Sequence, residues 1–185
     1  MTSVLVGGVG ELYQGDLDLG RLAVERLASE ELGEGVLVEE LHYGAVAVAQ
    51  RLEDLRPDLL ILVGAVARGR EPGSVERRHL EPIPLDTAEF QAAIGDAVTG
   101  YVGIDLVVEV ASGFGALPSR TVTIEVEPAR VEPSEELSPE ATAGLEQALE
   151  LVRTELARAR PGSGAAPPAG GPSPSPARAS RPSTS

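Results

Sequence analysis

The sequence contains no cysteine and no lysine. Without cysteine there is no disulfide, no thiolate nucleophile and no cysteine-ligated metal. Without lysine there is no Walker-type phosphate loop. No stretch approaches the roughly 20 apolar residues needed to span a bilayer. Residues 1–10 lack the basic start of a signal peptide, so the chain is expected to be cytoplasmic. A Gly-x-Ser-x-Gly nucleophile elbow is absent, histidine pairs at helical spacing are absent, and no histidine follows His79.

What is present is acid. The chain of 185 residues carries 29 Asp and Glu against 15 basic residues, all of them arginine. Residues 161–185 are almost entirely Pro, Gly, Ala and Ser, with Arg178 and Arg181 as their only charged side chains. Such a segment buries too little apolar surface to offset its ordering entropy, and a disordered tail is expected there. Residues 1–160 then form one domain with 13 arginines against 29 acids, a formal charge of −16. That surface repels phosphate backbones and anionic headgroups, which excludes nucleic-acid and membrane-surface roles.

Apolar strand-like runs alternate with amphipathic stretches. Val4-Leu5-Val6 reads as a buried strand ending at Gly7-Gly8-Val9-Gly10, Val36-Leu37-Val38 as a second, and Leu59 to Val63 as a central strand buried on both faces. Ser74 to Leu80 suits a charged edge strand, and Thr121 to Val126 is the last. Helices are expected over about 18–32 and from Gly44 to Leu55. A single long one is expected after the Asp86/Glu89 capping box, with Phe90, Ile94, Ala97, Tyr101, Ile104 and Val108 on one face. The last opens at Ser138-Pro139-Glu140. The pattern predicts a three-layer αβα sandwich with a mostly parallel sheet of about five strands. In such a sheet the site lies beyond the carboxyl ends of the strands.

After the first strand, Gly8-Val9-Gly10 is followed by Tyr13 where a dinucleotide fingerprint wants a small residue, and Glu11, Asp16 and Asp18 would repel a pyrophosphate. Glu39 and Glu40 stand where a ribose-binding acid would sit, which keeps a Rossmann-like nucleotide enzyme as one alternative.

The same stretch resembles the opening of the [NiFe]-hydrogenase maturation endopeptidases, in which Gly-x-Gly-Asn precedes an Asp-acid-Gly-x-Gly group. Gly8, Gly10, Asp16 and Gly20 match in register. The resemblance continues through Leu62-Val63-Gly64-Ala65 to Pro72-Gly73, at Ile124 to Pro128, and at Leu137-Ser138-Pro139. It implies an α/β protein acting on the large-subunit precursor of a [NiFe] hydrogenase, removing its C-terminal peptide after nickel insertion. Nickel would arrive with the substrate and no resident cofactor is expected. In the mechanism so implied, water attacks a carbonyl polarised by that metal. The family is understood to contact the nickel through an acid of the first motif, an Asp after the third strand and a His near the next long helix. Leu17 and Gly64 stand at the first two positions, and Asp86 to Phe90 contain no His. A relocated site would draw on Glu11, Asp16, Asp18 and His42, since nickel needs carboxylate or imidazole donors. Against this, Asp16 or Asp18 serves equally as a helix cap, His42 as a loop residue bonded to backbone, and His79 as a solvated edge-strand side chain.

Gly8, Gly10, Glu11, Gly44 and Arg68 form the expected substrate-docking set. Arg68 and Arg70 are suited to gripping a carboxylate, or simply to an arginine-rich loop. The missing ligand positions set a second expectation beside proteolysis, a non-catalytic binding or assembly factor for hydrogenase maturation. A monomer is expected.

Overall fold

The computed structural model describes residues 2–160 apart from 83, 99 and 101. The chain runs β1 (Val4–Gly8), α1 (Leu19–Ala28), β2 (Val36–Glu40), α2 (Ala45–Leu55), β3 (Leu59–Ala65), β4 (Val75–Leu80), α3 (Thr87–Val98), α4 (Ile104–Gly113), β5 (Thr121–Val126) and α5 (Pro139–Ala159). A short 3-10 turn, Gly15–Asp18, precedes α1. The expected tail at 161–185 and Tyr101 lie outside the described residues.

The five strands make one sheet in the order β2-β1-β3-β5-β4. All neighbours are parallel except β4, which runs antiparallel to β5. Strand alternation divides the side chains between two apolar layers. Val4, Val6, Leu59, Ile61, Val63, Val122, Ile124 and Val126 pack with α1 and α5. Leu5, Leu60 and Leu62 pack with α2, α3 and α4. Each fully buried Leu, Ile or Val contributes about 1.5–3 kcal/mol, and β3 has side chains of this kind on both faces. The predicted αβα architecture is therefore the one observed.

The sheet's two edges differ. β4 carries Glu76, Arg77, Arg78 and His79 along its length, whereas β2 leaves Leu37 exposed.

Three boundaries differ from the sequence reading. The helix expected over 18–32 ends at Ala28, where the Ser29 hydroxyl donates to the Arg26 carbonyl at 2.7 Å and competes with continuation. β2 extends two residues further because Glu39 and Glu40 pair with Gly7 and Gly8. The single helix expected after Asp86 is two, α3 and α4, because Gly100 takes φ +85° and Gly103 is extended. The capping box itself is formed: the Asp86 amide donates to Glu89 Oε2 and the Glu89 amide to Asp86 Oδ1, both at 2.9 Å.

Candidate functional site

The chain leaves β1 to the β2 side and then crosses to β3, so the topological switch falls between β1 and β3. In this protein the protein's own backbone fills that crevice. The Val9 amide donates to the Val63 carbonyl at 2.9 Å. A Cβ on Gly64 would stand 2.4 Å from the Val9 carbonyl oxygen and 3.3 Å from Ile104 Cδ1. Gly64 is thus a close-approach position, and an Asp there would require the strand ends to separate. Gly8 and Gly20 serve a similar purpose between β1 and α1, a Cβ on Gly8 falling 2.1 Å from the Gly20 carbonyl oxygen. A Cβ on Gly10 would fall 2.0 Å from the Leu17 carbonyl oxygen, which also receives the Glu11 amide at 3.1 Å. Three of the glycines behind the family resemblance therefore act in main-chain packing. Gly44, with φ +112° and nothing within 4 Å of its Cβ direction, opens α2.

Asp16 is fully buried and accepts four hydrogen bonds: from the amides of Ala129 (2.8 Å), Arg130 (2.8 Å) and Ser138 (2.6 Å), and from the Ser138 hydroxyl (2.8 Å). Burial pushes its pKa up, but the bonds from Ser138, Arg130 and Ala129 together outweigh that and hold it below the ordinary carboxylate value. Ser138 in turn caps α5, its Oγ accepting from the Ala141 amide at 3.1 Å. Asp16 is the clasp between the loop after β1 and the loop after β5. The backbone completes it: the Gly15 amide donates to the Ser134 carbonyl and the Ser134 amide to the Tyr13 carbonyl. Tyr13 sits at φ +59° in the left-handed region, a conformation costing a non-glycine residue about 1–2 kcal/mol.

The other proposed ligands differ in their surroundings. Asp18 stands before α1, but its carboxylate makes no cap; Arg21 takes it with Nε at 3.0 Å and Nη2 at 2.7 Å. His42 Nδ1 lies 3.3 Å from Glu40 Oε2, close enough for an ion pair but without hydrogen-bond geometry. Among the described residues no three His, Asp or Glu side chains are grouped to hold a metal ion. Glu11, Asp16, Asp18 and His42 are therefore not brought together as a ligand set, because the two aspartates are used in tying loops and helices. Glu39 is held by Arg51 through Nε at 3.1 Å and Nη2 at 2.5 Å, which removes it as a free ribose acceptor.

Beside Gly64, a cation is already in place. Glu125, register partner of Gly64 on β5, is buried and points toward α4. Arg68 reaches it with Nε and Nη2, both at 3.0 Å, and with Nη1 and Nη2 grips Asp105 at 2.9 and 2.7 Å. These carboxylates hold the guanidinium pKa above its ordinary value. Arg78 adds a third contact to Glu125 at 3.3 Å, and Thr123 donates to it at 3.2 Å. Glu127 accepts the amides of Arg68 and Gly69 and the Nε of Arg70. Burial raises its pKa, but these donors outweigh it and leave Glu127 below its usual value. Arg68 from the docking set thus belongs to a mutually satisfied ion network. Sequence reading passed over Glu125, Glu127 and Asp105. The signal was available in Thr121-Val122-Thr123-Ile124-Glu125-Val126, whose strict alternation sets the polar members on one face.

Grooves of appreciable size lie elsewhere, one of about 640 Å³ between the end of α1 and β2. No helix among the described residues is long and apolar enough to cross a membrane.

Neither family models nor characterised protein sequences match this chain. Solved structures do. The hydrogenase 2 maturation peptidase of a Thaumarchaeota archaeon is 28% identical, with TM-score 0.61, over 84% of this chain and 98% of its own. An endopeptidase from Escherichia coli is also 28% identical, with TM-score 0.64, over 85% and 93%. The hydrogenase maturating endopeptidase HybD from E. coli, at 23% identity and TM-score 0.62 over 85% and 93%, shares the fold.

Proposed function

Because this chain belongs to the [NiFe]-hydrogenase maturation endopeptidase family, we propose that it serves hydrogenase maturation by binding the large-subunit precursor without donating ligands to its nickel. The observation that carries this reading is the Arg68 guanidinium fixed between Glu125 and Asp105, beside a Gly64 that has no room for a side chain. A guanidinium is permanently charged and satisfies the buried carboxylate that a metal would otherwise have to compensate. Leu17 and Gly64 offer no donor, and the Asp16 carboxylate already accepts four hydrogen bonds from its own chain. The retained elements are those that shape the strand ends: Gly8, Gly10, Gly20 and the Asp16 clasp. They preserve the face that the resemblance assigns to the precursor while the metal-reading positions do not.

A second reading, removal of the precursor's C-terminal peptide, is favoured by the neighbours at 28% identity, which are peptidases by description. Intact mass separates the two. Nickel-loaded precursor is weighed before and after incubation with the chain, and the mixture is run on a sizing column. Unchanged mass with co-elution is the expected result. Loss of a C-terminal peptide would establish proteolysis, and a parallel run with His42→Ala would show whether that side chain takes part.

A further inference from the structure

The loops after β1 and β5 present three exposed apolar side chains, Leu12, Tyr13 and Val131, of which Tyr13 is 56% exposed. They share one platform. Tyr13's carbonyl accepts the Ser134 amide, Gln14 and Ser134 form a β-bridge, and Asp16 pins the Ala129–Arg130 main chain from beneath. The platform therefore cannot withdraw these side chains by a loop rearrangement without breaking a buried carboxylate's contacts. Tyr13 is moreover held at φ +59°, where glycine would be unstrained, and its ring is offered to solvent with Arg21 over one side at 5.7 Å. A strained backbone supporting an exposed aromatic is the pattern of a retained contact residue.

In sequence Glu11 stands beside Leu12 and Glu132 beside Val131, and Glu135 and Glu136 follow in the same loop. None of the four makes an ion pair among the described residues, whereas nearby Arg21 and Arg130 are both engaged: Arg21 with Asp18, Arg130 with the Glu136 carbonyl at 2.8 Å. We propose that the Leu12–Tyr13–Val131 patch is a docking surface for a polypeptide segment that presents an apolar side chain between Lys or Arg residues. The apolar centre gives affinity by excluding water and the unpaired carboxylates at the rim select the flanking cations and steer the encounter. The same rim repels nucleic acid, anionic lipid and a second copy of this chain. The proposal rests on the preceding reading only for the partner's identity, the hydrogenase large-subunit precursor.

The test is calorimetric titration of the full chain with that precursor, nickel-loaded and nickel-free. Tyr13→Gly is expected to raise the melting temperature, because glycine is unstrained there, while weakening binding at least tenfold. Opposite movement of stability and affinity separates lost contact from lost fold. Glu132→Lys with Glu136→Lys is expected to weaken binding and to flatten its dependence on salt between 0.05 and 0.5 M. Leu37→Ser, on the remote β2 edge, is expected to bind as wild type. Unchanged affinity in Tyr13→Gly, or in the charge-reversed variant, overturns the proposal. Failure of the wild-type chain to bind the precursor at all refutes the partner reading. The patch is then decided by an array of synthetic peptides with one Leu or Phe between lysines. Capture there that Tyr13→Gly abolishes upholds it, and no capture overturns it.

Discussion

Replacing Asp16 by alanine measures how much of the site's architecture hangs on one carboxylate. The substitution takes the acceptor from three amides and one hydroxyl in a fully buried place. An unsatisfied buried donor costs about 1–3 kcal/mol. Desolvating the carboxylate already subtracts part of what the four bonds contribute, so the net loss is about 3–5 kcal/mol, in the range for breaking a buried charged network. Against a total stability of about 5–15 kcal/mol for a domain, this is about a fifth or more. With a urea slope of about 1.5–2 kcal/mol/M, the midpoint falls by roughly 2 M. Asp16→Asn keeps the shape but turns an NH2 toward a donor, and is expected to lose about 2–3 kcal/mol. The pH dependence has a definite sign. The folded-state pKa is depressed, so its contribution is complete above the unfolded value near 4 and is lost as pH falls through the lower folded value. Wild type should therefore show an acid limb of declining stability that is shallower in Asp16→Ala. A variant within about 0.5 kcal/mol of wild type at pH 7, or an identical acid limb, would refute the clasp.

Gly64→Ala is expected to destabilise by about 1–3 kcal/mol as its methyl meets the Val9 carbonyl. Gly95→Ala, in an open stretch of α3, should instead stabilise by about 0.5–1 kcal/mol in the same urea melt. Arg68→Met leaves buried Glu125 with Thr123, Arg78 and, at 3.5 Å, Arg70 as its remaining partners. It should lose about 2–4 kcal/mol, whereas Asp105→Ala, at a side chain 57% exposed, should lose under about 1 kcal/mol. Glu155, whose pKa Arg77 and Arg158 lower against the opposing effect of burial, should make Glu155→Gln less acid-sensitive than wild type below about pH 4.5.

The layering of the fold was legible because its signals are local. Val4–Val6 and Leu59–Val63 are continuous apolar runs, and Ser138-Pro139-Glu140 spells a helix start that the structure forms. The break between α3 and α4 was not, because the periodicity of Phe90, Ile94, Ala97, Ile104 and Val108 is nearly preserved across it and only the glycines interrupt. Site reading met a harder limit. Asp16 and Asp18 invite pairing on sequence, yet their partners, Ser138 and Arg21, are 122 and 3 residues away, and only the fold reveals the first. Arg68 binding Glu125 across 57 residues is likewise a contact made by strand order, not by any motif. Gly64 read as a lost ligand; the space around it is what the sequence could not supply.

The unequal edges of the sheet bear on what happens when many copies are crowded together. A sheet can grow into a fibre only if both of its sides accept a neighbour. Here β4 carries Glu76, Arg77, Arg78 and His79 along its length, while β2, at the other margin, leaves Leu37 exposed. Any contact through β2 is with the β2 of another copy, related by a two-fold axis, and it uses up the receptive side of both. Growth then stops at two, so this fold is protected from open-ended cross-β accretion by asymmetry of its margins, and a concentrated solution should not scatter light as filaments.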